Sequence, residues 1–271
     1  MKATKIFLII YCCFCSLKLF AQTPAAIEAD LLEAIKKVVN ERPSDMYDTT
    51  KAKYTEPISD SGSYLDMAND SLSRKLLHYT SKYPFTLTQQ FKSLDSAGLW
   101  VCTSADNLFR TYSWNTGLGG TQKDYIAIAQ YKTKKGTKST FIDHAEPNIG
   151  LDFKPPFYDT IYTLKRNGKV FYIALYSATM SLSDRWQGVQ VFAIENDTLN
   201  TNVKLIKTRS GVHSKLQYTY TYNMDMDDWL SVQIDEKSAI IKIPVVLENG
   251  KTNGNYITYK FTGQYFERVK N

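Results

Sequence analysis

From Leu99 onward, apolar residues recur at every second position, and this period constrains the fold more than any other feature of the chain. Leu216, Tyr218, Tyr220 and Tyr222 would line one face of a strand, with Gln217, Thr219 and Thr221 on the other. Ile241, Ile243, Val245 and Leu247 repeat the pattern. Asn167-Gly168, Asn249-Gly250 and Asn253-Gly254 read as the turns between such runs, because Asn-Gly readily adopts the positive φ angles of a tight hairpin. Val170–Tyr176 is apolar on both faces, which predicts a central strand. About a dozen strands joined mainly by short turns require antiparallel pairing, since parallel neighbours need long crossovers.

Two helices are expected ahead of the strands. Thr23-Pro24 opens the first with a capping hydroxyl and a proline at the first helical position. Ile27, Leu31, Ala34, Ile35 and Val38 then share one face, and Arg42-Pro43 ends the helix. Residues 43–69 are polar, contain Pro43, Pro57 and Gly62, and read as a linker. Asp70-Ser71 reads as the cap of a second helix that ends before Pro84. The expected fold class is therefore mainly β (α+β): N-terminal helices, then a large antiparallel β-meander that closes as a barrel, a sandwich or a propeller-like array, with the second helix and the meander together forming one domain over 70–271. Ser104-Ala105-Asp106, with Arg110 and Trp114, resembles the closing strands of a WD-type propeller blade. No equivalent recurs at the period of about forty residues that a propeller requires.

The chain begins with Lys2 and Lys5, followed by an apolar run from Ile6 to Leu17 that is too short to span a bilayer. This is the pattern of a secretory signal peptide over 1–21, cleaved after Ala21, and it predicts a periplasmic or secreted protein. Cys12, Cys13 and Cys15 lack the small residue that precedes a lipid acceptor, so a lipoprotein is not expected. Of four cysteines only Cys102 remains in the mature chain, and the fold must rely on core packing instead of internal disulfides. The net charge of the whole chain is +6. Losing Lys2, Lys5 and Lys18 leaves 30 basic against 27 acidic residues, or +3, with the two signs interspersed. That distribution argues against a nucleic-acid partner.

The most distinctive stretch is Phe109–Gln122, FRTYSWNTGLGGTQ. Gly117–Gln122 lacks the Gly-Lys-Ser/Thr ending of a P-loop and the spacing of a dinucleotide fingerprint. Both motifs also need a following helix, whereas Tyr125–Tyr131 reads as a strand. No cofactor is therefore expected. Arg110, Tyr112 and Trp114 alternate onto one strand face, and an arginine on a core face is costly unless paired. Two readings follow: a strand ending in a glycine-rich bend, or a ligand site lined by Arg110, Tyr112, Trp114, Asn115, Gly119, Gly120 and Thr121.

The segments TSADNLFRTYSWNTGLGGT, LLHYTSKYP and YITYKFTGQYF together resemble a family of secreted β-rich proteins from Bacteroidetes-type bacteria. The similarity spans roughly residues 70–269. Its most specific element is Arg-x-Tyr-Ser-Trp-(Asp/Asn)-Thr…Gly-Gly-Thr. Asn115 stands where many relatives would carry aspartate, which weakens any acid–base role at that position. The resemblance implies export and a β-rich fold, and it implies no reaction.

Other constellations are weaker. His78, His144 and His213 have no ligand spacing, so no metal site is expected. Asn223, Asp225, Asp227 and Asp228 start like a calcium loop but lack its turn glycine and closing glutamate. Asp143-His144 with Glu146 lacks a marked serine nucleophile. Cys102 reads as a buried, inert thiol. Thr49, Ser71, Ser96, Thr160 and Thr198 each follow an aspartate in a pattern resembling O-glycosylation acceptors of Bacteroidetes-type exported proteins. The functional expectation is a non-enzymatic exported binding or envelope-associated protein, its partner a carbohydrate or an envelope protein. The alternative is a hydrolase or lyase acting on an extracytoplasmic polymer. A third reading has the first helix docking its apolar stripe on a partner.

Overall fold

The computed structural model describes residues 22–42, 64–142, 157–221 and 230–269. The signal segment, Thr49, the Asp143–Glu146 cluster and the Asn223–Asp228 acidic run lie outside these residues.

Helix α1 (Pro24–Asn40) starts as its sequence dictates: the Thr23 side chain accepts from Ala26 N at 3.2 Å, and Pro24 sits in the first turn. Its apolar stripe, Ile27, Leu31, Ala34, Ile35 and Val38, is buried within the chain's own core. The third reading, an exposed stripe awaiting a partner, is thereby corrected. Helix α2 (Tyr64–Lys82) begins six residues before the expected Asp70-Ser71 cap. Leu65 and Asn69 are buried on the same face as Leu72 and Leu76, so packing extends the helix through the polar-looking segment. Two 3-10 turns, Pro84–Leu87 and Asp95–Ala97, lead into the strands.

Strands β1 (Leu99–Thr103), β2 (Phe109–Asn115), β3 (Tyr125–Thr133) and β4 (Gly136–Phe141) form a four-stranded meander. A second sheet has the order β11-β7-β6-β5 and is built from β5 (Phe157–Arg166), β6 (Lys169–Thr179), β7 (Asp184–Glu195) and β11 (Lys215–Thr221). The short β8 (Thr198–Asn200) pairs with β7. The third sheet combines β9 (Ile206–Thr208), β10 (Gly211–His213), β12 (Gln233–Asp235), β13 (Ile240–Val246), β14 (Thr252–Phe261) and β15 (Phe266–Arg268), in the order β10-β9-β15-β14-β13-β12. Among the described residues all pairings are antiparallel except β15 with β9.

Three apolar cores stack these parts into four layers. Helices α1 and α2 cover one face of the first sheet through Leu99, Tyr112, Trp114 and Ile128. The other face of that sheet, with Phe109, Ala127 and Ala129, meets Tyr158, Tyr172, Tyr176 and Phe192 of the second sheet. The far face of the second sheet, with Ile173, Val189 and Val191, meets Ile206, Ile241, Tyr259 and Phe266 of the third. Both middle sheets are therefore buried on two faces. Each fully buried aliphatic or aromatic side chain contributes about 1.5–3 kcal/mol. The fold is mainly β and sandwich-like, and no sheet among the described residues closes as a barrel.

The turn chemistry holds in two places of three. Asn167 (φ 52°) and Gly168 (φ 71°) join β5 to β6, and Gly250 (φ 77°) follows Asn249 between β13 and β14. Asn253-Gly254 does not separate strands. It lies inside β14, with Gly254 at φ 83° and Asn255 N donating to Asn253 Oδ1 at 3.0 Å. A register shift between Pro244 and Val246 on the partner strand accompanies it.

Candidate functional site

Strand β2 carries the side chains expected to line a ligand site, and the structure uses them to fasten the helices to the first sheet. Trp114 is fully buried, and its Nε1 donates to Asn69 Oδ1 at 2.8 Å. Asn69 Nδ2 in turn donates to Leu65 O at 2.8 Å and Thr116 O at 3.0 Å, tying α2 to the end of β2. Arg110 is only 4% exposed. Its Nη1 donates to Thr86 O at 2.5 Å and Gln89 O at 2.8 Å, and its Nε donates to Thr103 Oγ1 at 2.7 Å. The guanidinium also lies 5.8 Å from the Phe91 ring centroid and 5.9 Å from that of Tyr112. Two backbone carbonyls and a hydroxyl thus supply the pairing that a buried arginine requires. Tyr112 OH donates to Gln130 Oε1 at 2.9 Å, while Gln130 Nε2 donates to Thr80 O and Thr86 Oγ1, each at 2.8 Å. Burial pushes the Tyr112 phenol above its ordinary range despite the nearby guanidinium.

The loop after β2 closes on itself. Thr116 N donates to Asp124 O at 2.7 Å, Asn115 Oδ1 accepts from Gly117 N at 2.8 Å, and Arg42 Nη2 reaches Asn115 O at 2.6 Å. A Cβ on Gly119 would fall 2.1 Å from Gln122 O, so glycine there serves backbone closure. Gly120 and Thr121 are exposed at the bend. The ligand-site reading of Arg110, Tyr112, Trp114, Asn115, Gly119, Gly120 and Thr121 is corrected accordingly: the stretch is a strand with both faces buried, ending in a self-bonded bend.

Cys102 donates to Tyr158 O at 3.1 Å and Asp159 O at 2.8 Å. Burial, then the carboxylates of Asp159 and Asp95, push its thiol up to about 12, so it is no thiolate nucleophile at neutral pH. His78 packs edge-on against Tyr79 and Tyr83. No group of three metal-ligating side chains occurs among the described residues. Of the serine and threonine acceptor candidates, Ser96, Thr160 and Thr198 are exposed, while Ser71 is half-buried within α2.

A groove of about 570 Å³ opens instead on the third sheet, at the end shared by β9, β10, β14 and β15. The parallel pairing of β15 with β9 sets Glu267 beside Lys207, and Lys207 Nζ meets Glu267 Oε1 at 2.8 Å. The β9–β10 hairpin turns through Arg209 and Ser210, placing Arg209 at its tip. His213 Nε2 lies 3.1 Å from Thr208 Oγ1 and 3.0 Å from Ser210 Oγ, so one imidazole nitrogen holds both hydroxyls. Tyr259, 7% exposed, forms the floor, and Arg268 stands at the end of β15. The guanidinium groups of Arg209 and Arg268 make no hydrogen bond or ion pair among the described residues. Three cationic side chains and one carboxylate thus line the groove, and two positive charges are left uncompensated. Sequence reasoning missed this site. Its only local signal is the cluster of basic and hydroxyl residues in Lys207–Ser210, and its other wall lies some sixty positions away.

Compared with protein-family models, with curated proteins and with solved structures, the chain matches none. No helix among the described residues is long and apolar enough to cross a membrane.

Proposed function

We propose that the chain is an exported, non-enzymatic binding protein of the cell envelope, with its ligand held in the groove of the third sheet. The observation that carries this reading is the pair of exposed guanidiniums, Arg209 and Arg268, which line a cavity and make no hydrogen bond or ion pair among the described residues. The volume falls within the range of small-ligand sites, about 300–1,000 Å³. Export is supported by the basic and apolar N-terminal pattern ending near Ala21. N-terminal sequencing of protein recovered from the periplasm or medium should begin at Gln22; a chain retaining Met1 in the cytoplasm would end the export reading.

The binding reading is tested by calorimetry of residues 22–271 against neutral and acidic oligosaccharides and peptidoglycan fragments. Ser210→Trp fills the groove from an exposed turn position, so its melting temperature should match that of the wild type. Saturable binding by the wild type and none by the filled variant is expected. Equal binding by both would remove the groove as the site.

A second reading, a hydrolase acting on an extracytoplasmic polymer, draws on the 3.0 Å contact between Ser210 Oγ and His213 Nε2. It requires Ser210→Ala to abolish turnover of a polymer that the groove still binds. The binding reading is preferred because Thr208 competes for the same imidazole nitrogen, and no described carboxylate orients the ring from its other side.

A further inference from the structure

Resting on the binding reading above, we infer that the groove's ligand is an acidic glycan, an oligosaccharide bearing carboxylate or sulfate groups. The charge pattern points to an anion. Lys207 is already neutralised by Glu267 at 2.8 Å, whereas Arg209 and Arg268 are exposed, have no partner among the described residues and line the same cavity. Unpaired guanidiniums with free donor edges match the planar oxygen pairs of carboxylates and sulfate esters. Arg209 stands at the β9–β10 hairpin tip and Arg268 at the end of the neighbouring strand β15, so two separate strands each bring a cation to the cavity.

The hydroxyls identify the glycan. Thr208 Oγ1 and Ser210 Oγ stand among the cations, held by His213 Nε2 and by Ser210 N donating to Thr208 Oγ1 at 3.2 Å. Hydroxyls fixed in this way can exchange hydrogen bonds with sugar hydroxyls at little ordering cost. Single-stranded nucleic acid would need an open aromatic face for base stacking, and the aromatic residue lining the groove, Tyr259, is buried at 7% exposure. A membrane surface would need large apolar side chains at the rim, and the groove residues supply none.

The probes are oligogalacturonate, a sulfated heparin-derived hexasaccharide, neutral cellohexaose, a single-stranded oligonucleotide and vesicles containing anionic lipid. Each is titrated against the folded chain at low and moderate salt. Arg209→Ala and Arg268→Ala should each weaken acidic-glycan binding about tenfold or more, the equivalent of one lost charge-assisted contact. Glu267→Gln removes the groove's one carboxylate and should tighten it, an effect that loss of structure could not produce. Lys92→Ala, an exposed cation on the helix side, should change nothing. The galacturonate and heparin arms separate carboxylate from sulfate.

Neutral cellohexaose bound equally well, with no dependence on either arginine, would overturn the acidic class and leave the binding reading intact. Preferential binding of oligonucleotide or vesicles through the same arginines would overturn the glycan. Failure of every probe, together with an inert Ser210→Trp substitution, would overturn both this inference and the reading beneath it.

Discussion

At the scale of single residues, the chain buries Arg110, Tyr112 and Trp114 of its most distinctive stretch in the core. Trp114 and Asn69 form a bond between two buried side chains. Trp114→Phe keeps most of the ring but strands Asn69 Oδ1, and should cost about 1–3 kcal/mol in urea denaturation. Trp114→Ala adds a cavity and should cost about 3–5 kcal/mol. A loss within a few tenths of a kcal/mol for Trp114→Phe would mean that the indole N–H holds nothing. Gly188 makes a related point without any side chain. A Cβ there would stand 2.5 Å from Leu216 O and 2.7 Å from Tyr176 OH, so Gly188→Ala must part β7 from β11 or displace the Tyr176–Gln217 bond. Neither position's role was legible from the sequence. The alternation of Arg110, Tyr112 and Trp114 told that they share a face, but not that two helices cover it. An arginine facing a core and an arginine facing a cleft look alike until the carbonyls of Thr86 and Gln89, some twenty residues upstream, are brought alongside.

At the scale of elements, local signals succeeded where both halves of an interaction lie close in the chain. Thr23-Pro24 and Asn167-Gly168 act as their chemistry requires. The start of α2 was missed because Leu65 and Asn69 gain their helical context from α1 and β2. The groove was missed because it depends on the one parallel pairing, β9 with β15, which short-range turn rules do not anticipate. The α1–α2 contact carries a pH-dependent tie. Burial raises the Asp30 carboxyl, but hydrogen bonds from Lys75 Nζ at 2.5 Å and Tyr79 OH at 2.6 Å outweigh it and hold the group below its ordinary 3.8. A depressed acid stabilises the fold above the unfolded value and loses that contribution as pH falls through the folded one. Denaturation midpoints of wild type and Asp30→Asn should therefore differ at pH 6 and converge below pH 3.8. A gap independent of pH would show that the charge of Asp30 plays no part in joining the helices.

At the scale of the whole molecule, the four layers share sheets, and this sharing governs how stability is distributed. Phe109 faces one core and Tyr112 another from the same strand, and Tyr172 and Ile173 do the same in β6. Loss of either middle sheet would expose two cores at once, so no interior layer can melt alone. The third sheet is the exception, since only one of its faces meets a core. Ile241 is fully buried there, on the opposite side of two sheets from the helices. Ile241→Ala should cost about 2–5 kcal/mol by leaving a cavity in the third core. If the layers unfold as one unit, amide exchange of β2 around Tyr112 should speed up by the full equivalent of that loss, although no residue of β2 belongs to the mutated core. If the third sheet opens independently, exchange should rise only in β13, β14 and β15 while β2 keeps its protection. The second outcome would make the sheet that carries the groove a separable, less stable unit, and the proposed glycan, if bound by Arg209 and Arg268, would then stabilise that sheet and leave the helix-capped core unchanged.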